Sequence, residues 1–287
     1  MRPRLRHLRH PVAAVHSLID RLRLIARRRA VEHQFRGLKR DVRSQCWCGG
    51  SLLPFRWHRG YGVCERCGTY VNRKPPMREE LRRIYSFESY WHTRQHLKGY
   101  PDISGRTAND LVDGRLDYWL TLISRYSRPP GTAVEIGCAH GILLGRLHDL
   151  GYHCVGVEPD PETAEWTRNA TGLDVRSGLF PDVVMPSCKL FLAFDVLEHS
   201  PDPVGFLSEA SRILDRGGTA VIQTPIDRYD FQPPFGERFK PAFDDVEHLF
   251  LFTDRAMEEL AARSHLKIVN RKERLWLHHE ICIFSKP

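Results

Sequence analysis

Residues 134–141 read Val-Glu-Ile-Gly-Cys-Ala-His-Gly, and this stretch decides the fold of the chain. It joins an apolar run that predicts a strand to a helical pattern that begins at Gly141. Glycines at such a strand–helix turn let the backbone come close to a ligand at the carboxyl edge of a parallel sheet. Residues 134–141 therefore predict the first βα turn of a doubly wound α/β domain, with a binding site beside it.

The same alternation of strand and helix continues to the end of the chain. Apolar strands are predicted at 132–137, 153–158, 189–194 and 218–224, with a weaker one at 174–177. Helices are predicted at 141–150, 160–170, 202–214 and 253–264. Two closing strands, 266–273 and 279–285, have no helix between them. We predict an α/β fold with a Rossmann-like seven-stranded sheet and an antiparallel edge hairpin.

Two proline-rich breaks help to divide the chain into four parts. Residues 74–76 read Lys-Pro-Pro and residues 128–131 read Arg-Pro-Pro-Gly, and both stretches interrupt regular structure. We predict a basic amphipathic helical segment at 1–43, a small zinc-ribbon-like module at 44–76, a helical linker or lid at 77–130 and the α/β domain at 131–287.

The basic charge is concentrated in the first of these parts. The formal net charge is +8, and residues 1–43 carry thirteen Lys or Arg against three Asp or Glu. Apolar residues at helical spacing share this segment with Arg21, Arg23 and Arg27, which predicts an amphipathic basic helix. Such a helix either packs on its own protein or attaches to an anionic membrane surface or a partner.

Neither a secretory leader nor a membrane-spanning segment is predicted. The N-terminal stretch lacks a long apolar region, and the chain contains no run of eighteen apolar residues. We therefore expect a cytoplasmic protein, with peripheral attachment to a membrane through residues 1–43 as the alternative.

Four of the eight cysteines are clustered within the predicted module. Cys46 and Cys48 form one close pair, Cys64 and Cys67 form a second, and glycines follow each pair. Two such knuckles suit a tetrahedral zinc site with four thiolate ligands, although the first pair has one intervening residue instead of two. The alternative, two disulfides, is disfavoured in a reducing cytoplasm.

An acidic residue follows the second predicted strand of the α/β domain. Glu158 ends the strand 153–158, and a carboxylate at this point can accept both hydroxyls of a ribose. A dinucleotide-binding domain would use the same logic, but its glycine loop normally reads GxGxxG. Here Ala139 stands where that loop has its middle glycine.

Three later stretches complete a recognisable series. Residues 194–203 read Phe-Asp-Val-Leu-Glu-His-Ser-Pro-Asp-Pro, residues 212–218 read Arg-Ile-Leu-Asp-Arg-Gly-Gly, and residues 223–225 read Gln-Thr-Pro. In this order and spacing, the series resembles the class I S-adenosylmethionine-dependent methyltransferases. It is most similar to their branch of ubiquinone-biosynthesis O-methyltransferases and sugar or natural-product methyltransferases. The resemblance covers roughly residues 110–285.

The resemblance implies S-adenosylmethionine as the cofactor and a role for each residue along the sheet edge. Glu158 would hold the ribose, Leu179 and Phe180 would flank the adenine, and Phe194 would offer its backbone to the sulfonium region. Arg115 would bind the cofactor carboxylate, with a surface ion pair as its alternative role. Gly137 and Gly141 would frame the methionine side, and Glu135, two residues before the first of these glycines, is a further predicted cofactor-binding residue.

The predicted catalytic residues are Asp195, Glu198, His199 and His248. His199 would act as the general base, with a pKa suited to neutral pH. Alternatively, Asp195, Glu198 and His199 would hold magnesium, as the resemblance implies for ubiquinone-type enzymes, or Glu198 and His199 would only cap the following helix. His248 would contact the acceptor, with tethering of its loop as the alternative.

The expected reaction is O- or C-methylation of a small molecule, a sugar or a lipid-linked glycan. The alternative is a nucleic-acid-binding or RNA-modifying protein that uses the basic tail and the zinc ribbon. Base N-methyltransferases usually carry an Asn/Asp-Pro-Pro-aromatic motif after the fourth strand. This chain has Asp195-Val196-Leu197-Glu198-His199 there, which disfavours nucleic acid as the partner.

Overall fold

The computed structural model describes residues 35–95, 102–227, 243–272 and 279–287. Most of the predicted basic helix at 1–43, including all of its apolar face, lies outside the described residues. Within them, no helix has both the length and the apolar character needed to cross a membrane.

The α/β domain has the elements that the sequence predicts. Its first half contains β4 (Thr132–Ile136), α4 (Ile142–Asp149), β5 (His153–Glu158), α5 (Pro161–Thr171) and β6 (Asp174–Ser177). Its second half contains β7 (Cys188–Phe194), α6 (Pro203–Ile213), β8 (Leu214–Asp227), α7 (Asp254–Arg263), β10 (Lys267–Lys272) and β11 (His279–Ser285). Each predicted strand and helix of this domain is confirmed, with ends that differ by a few residues at most.

The strands pair as the predicted fold requires. Parallel ladders run in the order β6, β5, β4, β7, β8, and β11 then pairs antiparallel with β8 and with β10. Strands β4 and β7 carry apolar residues on both faces, because helices cover the sheet on either side. The antiparallel edge hairpin is therefore confirmed, and the carboxyl ends of β4, β5 and β7 lie side by side.

A further strand, β9 (Phe250–Thr253), was not predicted from the sequence. It pairs parallel with the end of β8 and antiparallel with β3 (Tyr70–Asn72) of the cysteine module. The module also contributes β1 (Leu52–Pro54) and β2 (Tyr61–Cys64). Within the described ranges, eleven strands thus form one sheet, and the module extends this sheet instead of standing in front of it as a separate unit.

The predicted helical linker at 77–130 contains α1 (Arg78–Ile84), a π-helical segment (Glu88–Gln95), α2 (Ile103–Val112) and α3 (Arg115–Ile123). Helix α3 packs its buried face, which includes Leu116 and Leu122, against the same core as α4. Side chains from α1, α2, α3 and the π-helical segment line the cavity at the sheet edge. The linker therefore forms one wall of that cavity.

The four clustered cysteines have the spacing of a metal site. Cys46 Sγ lies 3.6 Å from Cys67 Sγ, and Cys48 Sγ lies 3.4 Å from Cys64 Sγ. All four sulfurs lie within 4.8 Å of one another. These distances exceed the roughly 2.05 Å of a disulfide and approach the roughly 3.8 Å between sulfurs in a tetrahedral zinc site with Zn–S bonds of about 2.3 Å. The donor set therefore fits zinc.

Gly50 shows how tightly the first knuckle approaches the second. A Cβ atom at this position would lie 2.6 Å from Cys64 Sγ and 2.9 Å from Arg66 Cβ. Any larger residue would thus push the second knuckle away. The glycine after the first cysteine pair is consequently required by close approach of the chain to a thiolate.

We expect Cys64→Ser to release zinc and lower the thermal unfolding temperature, because four ligands from two knuckles close the site. Elemental analysis of protein purified without added zinc should give near one zinc per chain for the wild type. The control Cys154→Ser changes a buried cysteine of β5 and should retain the metal. A wild-type chain without zinc would contradict the assignment.

Candidate functional site

A cavity of about 260 Å³ lies at the carboxyl ends of β4, β5 and β7. It is lined by seven of the eight predicted cofactor-binding residues, namely Arg115, Glu135, Gly137, Glu158, Leu179, Phe180 and Phe194. Of the predicted catalytic residues, Asp195 and His199 also line it. The tertiary structure thus brings together residues that lie as many as 84 positions apart in the sequence, as Arg115 and His199 do.

Gly141 is the exception among the predicted cofactor residues. It is not among the residues that line the cavity, and a Cβ atom there would lie 2.5 Å from Thr167 Cγ2. This glycine therefore allows α4 to start close against α5. Gly137, by contrast, lines the cavity, and its backbone is left-handed with φ of 69°.

Ala139 takes up the left-handed conformation that a glycine would adopt more easily, with φ of 49°. Its backbone N–H donates to Glu158 Oε2 at 3.1 Å, and its carbonyl accepts a hydrogen bond from the Thr167 hydroxyl. These contacts offset the modest strain of an alanine in this position. The departure from the usual glycine therefore leaves the loop in a binding conformation.

Two buried carboxyl groups occupy the floor of the cavity. Burial raises the pKa of Glu135 to about 8, with a further contribution from Glu158. Burial also raises the pKa of Glu158 to about 8, against hydrogen bonds from the backbone of Ala139 and Asp160. Glu158 thus stands at the strand end with its carboxyl group inside the cavity wall, as its predicted ribose role requires.

Aromatic rings lie at two places in the cavity wall, at Phe180 and at Phe194. Phe180 contacts Phe191 and Phe206 with ring centroids 5.6 and 4.9 Å apart, so the predicted adenine wall is rigidly packed. Phe194 lies 4.3 Å from the Trp119 ring of α3. Helix α3 is therefore held directly over the end of β7.

Asp195 is held by a hydrogen-bonded chain. Trp119 Nε1 donates to Gln223 Oε1 at 3.0 Å, and Gln223 Nε2 donates to both carboxylate oxygens of Asp195 at 3.0 and 3.1 Å. The Asp195 backbone is left-handed, with φ of 57°. Its side chain is thus fixed at the cavity wall between β7 and β8.

Glu198, His199 and His248 come together where β7 ends. Their potential ligand atoms all lie within 4.8 Å of one another, and Asp195 is not part of this group. Glu198 is fully buried, and its Oε2 accepts from the Thr224 hydroxyl at 2.8 Å. In the structure, His248 and not Asp195 therefore lies close to Glu198 and His199.

The tautomer of His199 follows from its neighbour. His199 Nδ1 lies 2.7 Å from the carbonyl oxygen of Glu247, so Nδ1 carries the hydrogen and Nε2 keeps its lone pair. Burial, together with His248, lowers the pKa of His199 to about 4. The expectation of a pKa near neutrality is wrong, since partial burial and the neighbouring His248 disfavour the protonated ring.

The loop that carries His248 is anchored by a buried ion triad that the sequence did not predict. Arg94 Nη2 donates to Asp244 at 3.0 Å, and its Nη1 lies 2.7 Å from Glu247 Oε1. Arg94 is 4% exposed. The only sequence signal was the position of Arg94 beside an aromatic stretch, and nothing in the sequence pairs it with residues 150 positions away.

The cysteine module supports the same loop from the other side. Tyr61 Oη lies within hydrogen-bonding distance of the carbonyl oxygens of Asp244 and His248, at 2.9 and 2.7 Å. Asn72 Nδ2 lies 3.2 Å from the Asp245 carbonyl oxygen. His248 is therefore both near the cavity and tethered, although it is not among the residues that line the cavity.

Arg115 forms an ion pair and also lies at the cavity wall. Its Nη2 lies 2.7 Å from Asp110 Oδ1, and the guanidinium sits 5.3 Å from the centre of the Trp119 ring. The residue also lines the cavity. An ion pair thus holds Arg115 at the cavity wall, and its predicted contact with a cofactor carboxylate stays a prediction.

Comparison with known proteins agrees with this geometry. A family model described as "Methyltransferase domain" matches residues 110–270. A Mycolicibacterium smegmatis protein named "Probable S-adenosylmethionine-dependent methyltransferase" is 30% identical over 103 residues, which cover 35% of this chain and 40% of that protein. The 2-methyl-6-phytyl-1,4-hydroquinone methyltransferase of Synechocystis is 28% identical over 166 residues, covering 54% and 51%. The chain thus matches about half the length of these relatives.

A solved structure shares the fold. The mitomycin 7-O-methyltransferase superposes with a TM-score of 0.53 at 17% identity, covering 72% of this chain and 62% of that one. At this level of identity the similarity shows the α/β architecture alone.

The raised pKa values of Glu135 and Glu158 predict how stability depends on pH. The unfolded carboxyls titrate near 4.5, whereas the folded ones hold their protons to about 8. Their contribution to stability is therefore full below the lower value and is lost as the pH rises through about 8. The urea midpoint of the unliganded protein should fall over this range.

Glu135→Gln removes one of the two groups and should make this decline shallower. The control Glu162→Gln changes an exposed glutamate of α5 and should follow the wild type. Identical pH profiles for Glu135→Gln and the wild type would show that the Glu135 carboxyl does not hold a proton in the folded state.

Proposed function

The chain belongs to the methyltransferase-domain family, and on that premise we propose that it transfers the methyl group of S-adenosylmethionine to a hydroxyl group of a small aromatic acceptor. The observation that carries this proposal is one continuous cavity. Predicted cofactor residues line one part of it, and His199 lines it together with aromatic side chains of the linker.

The part of the cavity that the predicted cofactor residues line has groups complementary to those of S-adenosylmethionine. The Glu158 carboxyl can accept the ribose hydroxyls, and the packed ring of Phe180 offers a flat apolar wall to the adenine. The backbone of Gly137 and the ring of Phe194 line the cavity between these groups and Arg115. Methyl transfer itself needs an in-line nucleophile about 3 Å from the methyl carbon and a group that accepts its proton.

The aromatic side chains of the cavity favour a flat, largely apolar acceptor. Tyr85, Tyr90, Trp91 and Trp119 all line the cavity. These rings stack well on another ring, whereas they supply few partners for the many hydroxyls of a glycan. The Synechocystis relative is named for a substituted hydroquinone, which belongs to this chemical class.

A divalent metal ion fits the group of Glu198, His199 and His248. The His199 lone pair at Nε2 and the buried Glu198 carboxyl lie 3.9 Å apart, and metal bonds of about 2.1 Å would draw such atoms slightly closer. Two imidazoles and one carboxylate favour manganese or a similar first-row ion over magnesium. When bound, such an ion lowers the pKa of a coordinated hydroxyl group.

The protein's own residues would then orient the acceptor. Glu247 fixes the His199 ring through its carbonyl, and Arg94 fixes Glu247 through an ion pair. Tyr85 stands edge-on to His199 with ring centroids 5.9 Å apart, so it limits where an acceptor ring can lie. The zinc proposed for the four cysteines would have a structural role, because four thiolates leave no open position.

Glu158→Ala should weaken binding of S-adenosylhomocysteine by about thirtyfold, because two hydrogen bonds to the Glu158 carboxyl contribute on the order of 2 kcal/mol together. Isothermal titration calorimetry gives the affinity directly. Glu162→Ala, at an exposed position four residues away, should bind as the wild type does. Unchanged affinity in Glu158→Ala would remove Glu158 from the ribose site.

His199→Ala should reduce methyl transfer at least about a hundredfold while leaving the affinity for S-adenosylhomocysteine unchanged, because the ring faces the acceptor. The assay follows S-adenosylhomocysteine release with simple hydroquinones and catechols, and with sugars as the competing class. The exposed control His153→Ala should be fully active. Chelator should suppress turnover, and manganese should restore it.

Two results would contradict this proposal. Full activity of His199→Ala would exclude both a catalytic and a metal-binding role for this ring. Turnover of sugars with none of the aromatic acceptors would reject the proposed acceptor class.

A further inference from the structure

A buried cluster of charged residues lies at the cavity wall formed by α2, α3 and the β4–α4 loop. Asp110 is its centre, with Arg106 Nε at 2.8 and 2.7 Å from its two oxygens and Arg115 Nη2 at 2.7 Å. His140 Nε2 lies 3.0 Å from Asp110 Oδ2. The family resemblance suggests only Arg115 in this region, so His140 has no assigned role.

The hydrogen-bonding pattern fixes which nitrogen of His140 is available. Hydrogen bonds from His140 and Arg106, with the arginine charges, hold the pKa of Asp110 well below its usual range although burial alone would raise it. The ionised carboxylate only accepts hydrogen bonds, so His140 Nε2 carries the hydrogen. In the neutral form of this ring, Nδ1 then presents a lone pair.

That lone pair lies at the cavity wall, where a bound ligand could donate a hydrogen bond to it. His140 is 9% exposed and lines the cavity. Its Nδ1 is buried and has no hydrogen-bond partner among the described residues. An unpaired polar atom in a buried position is unfavourable, whereas a bound donor would give Nδ1 a partner. The Trp91 ring, 5.7 Å away, restricts how far the imidazole can turn.

We propose that His140 Nδ1 accepts a hydrogen bond from the α-ammonium group of the cofactor's methionine portion, and that Asp110 positions the ring for this contact. The inference rests on the proposed use of S-adenosylmethionine. Of the two groups at the end of that portion, only the ammonium can donate to a lone pair.

The charge balance of the cluster supports an amino-acid ligand. Arg106 and Arg115 are balanced by Asp110 and by Asp113, whose Oδ2 lies 3.1 Å from Arg115 Nη2. The end of an amino acid carries an ammonium and a carboxylate whose charges also cancel, so it can exchange hydrogen bonds with this cluster without leaving a net charge. One zwitterionic end of a ligand therefore satisfies both the arginines and the histidine.

The test compares how each substitution changes the binding of three ligands that carry different groups at this end. His140→Phe keeps an aromatic ring beside Trp91 but removes both nitrogens. In calorimetry it should weaken S-adenosylhomocysteine and decarboxylated S-adenosylmethionine, which retains the amine, by about tenfold or more. Binding of 5′-methylthioadenosine, which lacks the amino-acid portion, should not change, and this also shows that the variant is folded.

Two further variants sharpen the result. His140→Asn has a carboxamide oxygen that can take the place of Nδ1, so it should retain more affinity for S-adenosylhomocysteine than His140→Phe does. The control His148→Phe changes an exposed histidine of α4 and should bind all three ligands as the wild type does.

Three outcomes would overturn the inference. Equal loss of S-adenosylhomocysteine and 5′-methylthioadenosine would show that His140 only supports the loop. Loss of S-adenosylhomocysteine with full retention of the decarboxylated ligand would place the contact on the carboxylate. Failure of the wild type to bind any of the three ligands would reject the proposed function itself, and a His140 variant is not needed to see that result.

Discussion

The antiparallel pairing of β3 with β9 is the contact that fixes the loop at residues 244–248 beside the cavity. Tyr70 pairs with Leu251 and Val71 with Phe250, which makes the cysteine module a continuation of the main sheet. The loop that precedes β9 is thereby caught between module and sheet. Residues 244–248 receive hydrogen bonds from Tyr61 and Asn72, so their position follows that of the module.

This arrangement gives the proposed zinc a purpose beyond local folding. Thr253 donates to the carbonyl of Cys67, and Arg263 of α7 donates to the carbonyl of Cys48. Both knuckles are therefore fixed to elements that begin directly after the His248 loop. Loss of the metal would loosen the wall that holds His199 and Glu247, while the cofactor residues on β4 and β5 would keep their own supports.

The cavity joins two kinds of electrostatic environment. Glu135 and Glu158 lie in an apolar setting that favours their neutral forms, whereas Asp110 and Asp244 are kept ionised by arginines. Each arginine comes from the helical linker, and Asp244 lies on a loop more than a hundred residues later. Among the described residues that line the cavity, the linker thus supplies every arginine side chain.

The sequence by itself determined the order and type of the elements in the α/β domain and the four-cysteine cluster, and it singled out seven residues that prove to line one cavity. These features follow from local periodicity, glycine turns and short spacings, which the chain carries within a few residues. It did not reveal β9, the Arg94 triad, the closeness of His248 to Glu198 or the lowered pKa of His199. Each of these depends on residues distant in sequence that only tertiary packing brings together, and on burial, which a linear pattern does not measure.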